Sequence, residues 1–173
     1  MRPLSFGIAA LLVVTACGGN GGKAKPAAQA FEPLHEGSVA PQYSILSLAG
    51  DTVNIGGAGK PVVLNVWATW CESCREEMKA LDSLHTEFGK EARVIGVSVD
   101  QGSTEKVKRF AESSSLHFDI AHDPAGDIQT TYQVVGVPTT FVIGRDGKVM
   151  WQHTGNIADN FNDVHDAVMK AVR

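Results

Sequence analysis

Cysteine is scarce in this chain: Cys17, Cys71 and Cys74 are its only three in 173 residues. That excludes a disulfide-stapled scaffold and a four-cysteine zinc site. Aromatics are also few, at 7%, so a core has to come from the Val, Ile, Leu and Ala that dominate a 43% hydrophobic composition. That composition belongs to a folding chain and excludes disorder, and the length suits one domain. Basic charge is not in excess: 15 Lys and Arg stand against 19 Asp and Glu, a net −4. Lys106, Lys108 and Arg109 are interleaved with Glu105 and Glu112, which reads as the solvated side of a helix, so nucleic acid is not expected as a partner. Long hydrophobic runs are missing too. The longest extends from Leu4 to Ala16, broken only by Ser5, Gly7 and Thr15. It falls short of the roughly 20 residues a membrane-spanning helix needs. No internal repeat appears.

Arg2, that short apolar run and a following small residue form a signal-peptide pattern over residues 1–16. Val14-Thr15-Ala16-Cys17 resembles the bacterial lipobox, which implies that Cys17 is lipidated and becomes the mature N-terminus. The alternative is ordinary secretion with Cys17 as a spare thiol, a liability in an exported protein. Residues 18–37 are rich in Gly, Ala and Pro without an apolar period, as in a flexible tether. The expected organisation is therefore a signal peptide over 1–16, a lipidated N-terminus and tether over 17–37, and one domain over 38–173. The expected location is the bacterial cell envelope, with the protein anchored to a membrane and facing the periplasm or extracytoplasmic space.

Tyr43–Leu48 alternates imperfectly, turns at Ala49-Gly50-Asp51 and returns as Thr52–Ile55, which predicts an N-terminal β-hairpin. Gly56-Gly57-Ala58-Gly59-Lys60 superficially suggests a nucleotide loop. A P-loop needs Gly where Asn54 stands and Ser or Thr where Pro61 stands, so this is read as a plain loop. Pro61–Trp67 and Arg93–Val99 are nearly continuous apolar runs, as central strands buried on both faces require. Between them Cys74, Met78, Leu81, Leu84 or His85, and Phe88 recur at helical spacing up to Gly89. A second helix is predicted over Thr104–Ser114 with Val107, Phe110 and Ala111 inward. A short strand is expected over His117–Ile120, a short helix over Gly126–Tyr132, and a strand over Thr139–Ile143. Gly144-Arg145-Asp146-Gly147 signals a hairpin into an antiparallel strand over Lys148–His153, and Ala158–Val172 closes the chain as a helix. The alternation is that of an α/β fold.

Cys71-Glu72-Ser73-Cys74 sits where the first buried strand ends and the first helix begins. Cys-X-X-Cys also serves zinc, but a structural zinc needs a second pair of ligands. No other cysteine follows, and His35, His85, His117, His122, His153 and His165 are scattered, so no metal is expected. Placement favours redox chemistry. Unpaired N–H groups and the positive end of the dipole at a helix N-terminus stabilise a thiolate on Cys71, whereas Cys74, one turn in, faces the interior. Cys71 is thus the expected attacking thiol and Cys74 the resolving one.

Asn65-Val66-Trp67-Ala68-Thr69-Trp70-Cys71-Glu72-Ser73-Cys74, with Gly136-Val137-Pro138-Thr139 far downstream, resembles the thioredoxin superfamily and, within it, the TlpA/ResA group. The resemblance covers about residues 38–172. It implies a three-layer fold, a mixed central sheet flanked by helices, with an N-terminal hairpin and a helix and strand inserted between the Cys-X-X-Cys helix and the cis-proline strand. It implies a thiol-disulfide oxidoreductase that reduces disulfides in partner proteins, among them apocytochrome c, with a membrane electron donor. No cofactor beyond the Cys71–Cys74 disulfide is implied, and a monomer is expected. Pro138 becomes a cis-proline facing Cys71, with Val137, Thr139 and Trp70 contacting substrate. Asn65 stands where thioredoxin carries a buried Asp, and the TlpA/ResA pattern offers Glu77 instead as the group that handles the proton of Cys74; the bland reading of Glu77 is a solvated helix acid. Trp67 is assigned to the core and Trp70 to the edge of the site. Glu72, Glu76 and Glu77 oppose the dipole's effect on Cys71, which suits a reductant better than a strong oxidant. Two other classes stay open. A peroxiredoxin-like thiol peroxidase lacks its usual Pro here but finds Thr69 two residues before Cys71, and a non-catalytic binding protein of the same fold would need neither thiol.

Overall fold

A run as uniformly apolar as Val62–Trp67 is stable only in a sheet covered on both faces, and the chain builds that sheet around it. The computed structural model describes residues 33–173. The expected signal peptide, Cys17 and most of the expected tether lie outside the described residues. In chain order the strands are β1 (Tyr43–Leu46), β2 (Thr52–Ile55), β3 (Val62–Trp67), β4 (Arg93–Ser98), β5 (Asp119–His122), β6 (Thr139–Ile143) and β7 (Val149–Thr154). The helices are α1 (Glu72–Phe88), α2 (Thr104–Ser113), α3 (Asp127–Thr131) and α4 (Phe161–Val172), the last preceded by a 3₁₀ turn over Ile157–Asn160.

The main sheet runs β5-β4-β3-β6-β7. Strands β3, β4 and β5 are parallel, and β6 is antiparallel to both β3 and β7. Every residue of β3 is buried, and so is every residue of β6. Helices α1 and α4 pack on the sheet and on each other, while α2 packs on β5. This is the expected α/β, thioredoxin-like mixed sheet flanked by helices. The β1–β2 hairpin lies along β5, with Leu48 N–H donating to Ile120 O. At the other edge Val149 N–H donates to Ser38 O and Gly37 N–H to Val149 O. Exposed backbone edges invite pairing with other chains, so both ends of the sheet are partly covered by the chain itself. Leu34 packs against the core, so residues 33–37, read from composition as tether, join the folded body.

Most boundaries fall within a residue or two of the sequence expectation, and three of the differences have a tertiary reason. β5 is Asp119–His122, not His117–Ile120. Its register is set by β4, with Ile95 opposite Asp119, while His117 is held off the sheet by Asp82, which accepts from its backbone N–H at 2.9 Å and meets its ring. β7 begins at Val149 because Lys148 N–H is committed to Asp146 Oδ1 in the turn, where Gly147 sits at φ 76°. The last helix begins at Phe161 because Ile157 N–H is drawn to Glu77 and Ala158 N–H to Asn156 Oδ1. The final helix then buries Val164, Ala167, Val168 and Ala171.

Candidate active site

Strand β3 delivers the chain into the site, and α1 takes it away. Cys71 is the N-cap of α1, with extended backbone angles, and its Sγ lies 3.2 Å from Cys74 N, which donates to it. A sulfur in that position receives an otherwise unpaired helix N–H and the positive end of the dipole. Cys71 and Cys74 are joined as a disulfide with Cα atoms 5.2 Å apart. Cys74 is fully buried, whereas Cys71 keeps 7% of its surface. The same sulfur lies 3.5 Å from Ser73 Oγ and 3.7 Å from Val137 O. The Val137–Pro138 bond is cis, and this turn brings the start of β6 to the start of α1 across 66 residues of sequence.

Of the expected substrate contacts, Trp70 is 64% exposed beside the cysteines, while Trp67, assigned to the core, is buried. Thr139 has little surface. Its hydroxyl donates to Gly136 O at 2.7 Å and meets Thr154 Oγ1, so it holds the proline loop in place. A groove of about 540 Å³ runs from Trp70 past Val137, Gly136 and Val135 to Asp100 and Lys106. A larger cavity, about 640 Å³, lies between Ser47–Ala49 and the α2–β5 connection. Neither cysteine lines either space, but Trp70 and Val137 bring the groove next to Cys71.

Glu77 does not lie on the helix surface. It is fully buried, its Oε1 accepting from Asn65 Nδ2 at 2.7 Å and its Oε2 from Ile157 N–H at 2.8 Å. Burial raises the Glu77 carboxyl to about 7, against the two hydrogen bonds that pull it down. Cys74, Glu77 and Met78 share the buried stripe of α1. The bland reading of Glu77 as a solvated acid is thereby corrected. Glu72 and Glu76 remain exposed.

Asp100 was not among the residues expected from the sequence. It is 1% exposed and accepts from Thr69 N–H at 2.7 Å, Thr69 Oγ1 at 2.5 Å, Ser98 Oγ at 2.8 Å and Lys106 Nζ at 3.1 Å. Burial pushes its carboxyl up, but these donors outweigh burial and hold it below the ordinary range. The available signal was an acid directly after the apolar run Arg93–Val99. Its consequence is that the Thr69 hydroxyl, the feature that suggested a peroxidase, is spent on Asp100. No cluster of three or more His, Cys, Asp or Glu side chains suited to a metal occurs among the described residues, and no helix there is long and apolar enough to cross a membrane.

Residues 37–152 match the AhpC/TSA family. Two proteins of Bacillus are similar along most of their length. Thioredoxin-like protein YneN of B. subtilis is 35% identical over 72% of this chain and 74% of its own, and thiol-disulfide oxidoreductase ResA of B. cereus is 36% identical over 72% of each. A crystal structure named for the thiol:disulfide interchange protein DsbE of Chlorobium tepidum superposes with a TM-score of 0.72 at 28% identity, covering 81% of this chain and 99% of that one.

Proposed function

The chain belongs to the AhpC/TSA family and is a thiol-disulfide oxidoreductase of thioredoxin-like fold, and from that premise we propose that it reduces disulfides in partner proteins outside the cytoplasm. The observation that carries the reading is the Cys71–Cys74 pair at the N-terminus of α1, with one sulfur buried and the other facing the Val137 carbonyl. In the reduced protein Cys71 thiolate attacks a substrate disulfide. One substrate sulfur leaves as a thiolate, and the other stays bound to Cys71 as a mixed disulfide. Cys74 then loses its proton to Glu77 and attacks Cys71 Sγ. The second substrate thiolate is expelled and the internal disulfide forms, so two electrons have passed to the substrate. Glu77 suits this role because a carboxyl that titrates near neutrality can take and return a proton.

Trp70 and Val137 line the groove an extended substrate would occupy, Pro138 follows Val137 through the cis bond as a further substrate contact, and Thr139 fixes the loop behind them. The redox-active disulfide is the only cofactor the reading requires. Apocytochrome c awaiting haem is the substrate class the TlpA/ResA resemblance supports, and a membrane donor returns the electrons. The signal-peptide pattern and lipobox support export, cleavage after Ala16 and lipidation of Cys17, leaving the thioredoxin-like domain of residues 38–173, as a monomer, on the outer side of a membrane.

Trapping tests this. Cys74→Ala is expected to accumulate partner proteins as mixed disulfides through Cys71, and the Cys71→Ala variant to accumulate none. Equal adducts from both variants would sink the assignment. Peroxide consumption that survives Cys74→Ala and needs Cys71 alone would replace it with a thiol peroxidase.

A further inference from the structure

Asn65 occupies the middle of β3 with no exposed surface, and its amide is asymmetrically used. Nδ2 donates to Glu77 Oε1 at 2.7 Å and to Thr140 Oγ1 at 2.9 Å, while Oδ1, equally buried, has no hydrogen-bond partner. A buried amide oxygen without a donor forfeits the full solvation of that group, and such an orphan calls for a reason. Glu77 is held only by donors, since Ile157 N–H occupies its other oxygen. That arrangement suits a carboxylate. It does not suit a carboxylic acid, whose new O–H meets two N–H groups and no acceptor.

We propose that Asn65 is a positioning residue whose side-chain amide serves both protonation states of Glu77, donating through Nδ2 to the carboxylate and, after a half-turn, accepting through Oδ1 from the carboxylic acid. The half-turn needs no backbone movement, because the two ends of the amide are nearly the same size. It places Oδ1, with two lone pairs, between the Glu77 O–H and the Thr140 O–H, so Thr140 changes from acceptor to donor in the same event. The oxygen unpartnered in the carboxylate state becomes the acceptor of the acid state, and the unpartnered position passes to Nδ2, a cost the acid state carries in exchange.

No fixed charge competes for this carboxyl. β3 and β6, which supply Asn65 and Thr140, contain no ionisable side chain. The 3₁₀ turn that supplies Ile157 carries only Asp159, which is exposed, and α4 brings Asp163 at its start, also exposed. On α1, Arg75 and Glu76 point to solvent, and Glu76 accepts from Asn156 Nδ2. Cys74, buried on the same stripe of α1, becomes titratable when the disulfide is reduced, whereas the other buried acids, Asp100 and Asp123, belong to segments outside α1, β3 and β6. The amide is therefore the chief polar partner by which the sheet influences Glu77, and removing its hydrogen bond favours the acid form.

The proposal rests on the reading of Glu77 as the proton acceptor of Cys74 only for its use in catalysis, so its test is made on the oxidised full chain, where no turnover occurs. Carbon-13 NMR of the Glu77 carboxyl is expected to titrate near pH 7 in the wild type. Asn65→Leu, close in volume and without hydrogen bonds, is expected to lower the ratio of ionised to protonated Glu77 about tenfold at any pH, the size of one charge-assisted hydrogen bond. In the wild type, nuclear Overhauser contacts from the Asn65 amide protons to Glu77 and Thr140 should be present above that titration and lost below it. An unmoved Glu77 titration in Asn65→Leu, or amide contacts that persist unchanged at low pH, overturns the proposal. The wild-type measurement decides the matter alone if the variant does not fold. Should Glu77→Gln leave resolution untouched while these shifts are found, the catalytic reading falls and the amide pairing stands.

Discussion

At the scale of a single residue, Glu77 carries a stability cost whose sign can be worked out. An acid whose folded-state pKa lies above its unfolded one binds more protons when folded, so stability falls as pH rises between the two values and is level outside them. For Glu77 the window runs from 4.5 to about 7. The span corresponds to roughly 3 kcal/mol at about 1.4 kcal/mol per pH unit. The oxidised wild type is therefore expected to lose thermal midpoint between pH 5 and pH 7.5 relative to Glu77→Gln, which keeps an acceptor for Ile157 N–H and cannot ionise. Parallel midpoint curves for the two proteins across that range would show that the carboxyl does not titrate there. The same variant should leave attack by Cys71 intact and slow release of the mixed disulfide by a factor on the order of 10²–10⁴, the usual worth of a general base, as rapid quench across pH would read.

At the scale of elements, the site is a joint between strand ends, and Asp100 is what closes it. The residue follows β4 and grips the β3–α1 connection through both the backbone and the hydroxyl of Thr69, next to Trp70 and Cys71. Asp100→Asn keeps the shape but supplies an NH₂ where acceptors are needed. It is expected to cost roughly 2–4 kcal/mol, since hydrogen bonds to a charged group are worth about 1.5–3 each and partly substitute for one another. Because the wild-type carboxyl sits below its ordinary range, its contribution is present above the unfolded pKa and is lost as pH falls through the folded one. The stability gap between the two proteins should thus close in acid, and a gap that stays constant down to pH 2 would contradict the clamp.

These elements also show what was legible beforehand. The strands β3, β4 and β6 and the helix α1 were readable because burial on both faces, or on one helical stripe, writes a period into the residues themselves. Gly96 looks like a turn signal yet lies inside β4, because a Cβ there would stand 3.0 Å from both Trp67 Nε1 and Phe118 Cε2. That reason belongs to packing and leaves no trace in the local sequence. The Asn65–Glu77–Ile157 chain joins positions 12 and 80 residues apart, so neither spacing nor propensity reveals it. The resemblance supplied Glu77, but only the fold shows that it is buried.

At the scale of the whole molecule, the question is what would hold the protein to a membrane. The described body has no helix fit to cross one. The chain's net charge of −4 offers no general attraction to anionic lipid headgroups. Attachment, on this reading, falls to the N-terminal segment, where Cys17 closes the lipobox-like run and is the one cysteine left over from the redox pair. Lipid chains supply about 0.8 kcal/mol per buried CH₂, and stable anchoring takes more than one such chain, so an anchor at Cys17 that works without help from the folded body has to carry at least two. Two consequences separate anchoring from chemistry. Cys17→Ser is expected to move the protein from the membrane fraction to the soluble extracytoplasmic fraction, and the released protein should reduce insulin disulfides as fast as the detergent-solubilised wild type, because both redox sulfurs lie in the described body. Membrane retention unchanged by the substitution and resistant to high salt would place the anchor elsewhere. Release accompanied by loss of insulin reduction would instead make Cys17 a third redox thiol.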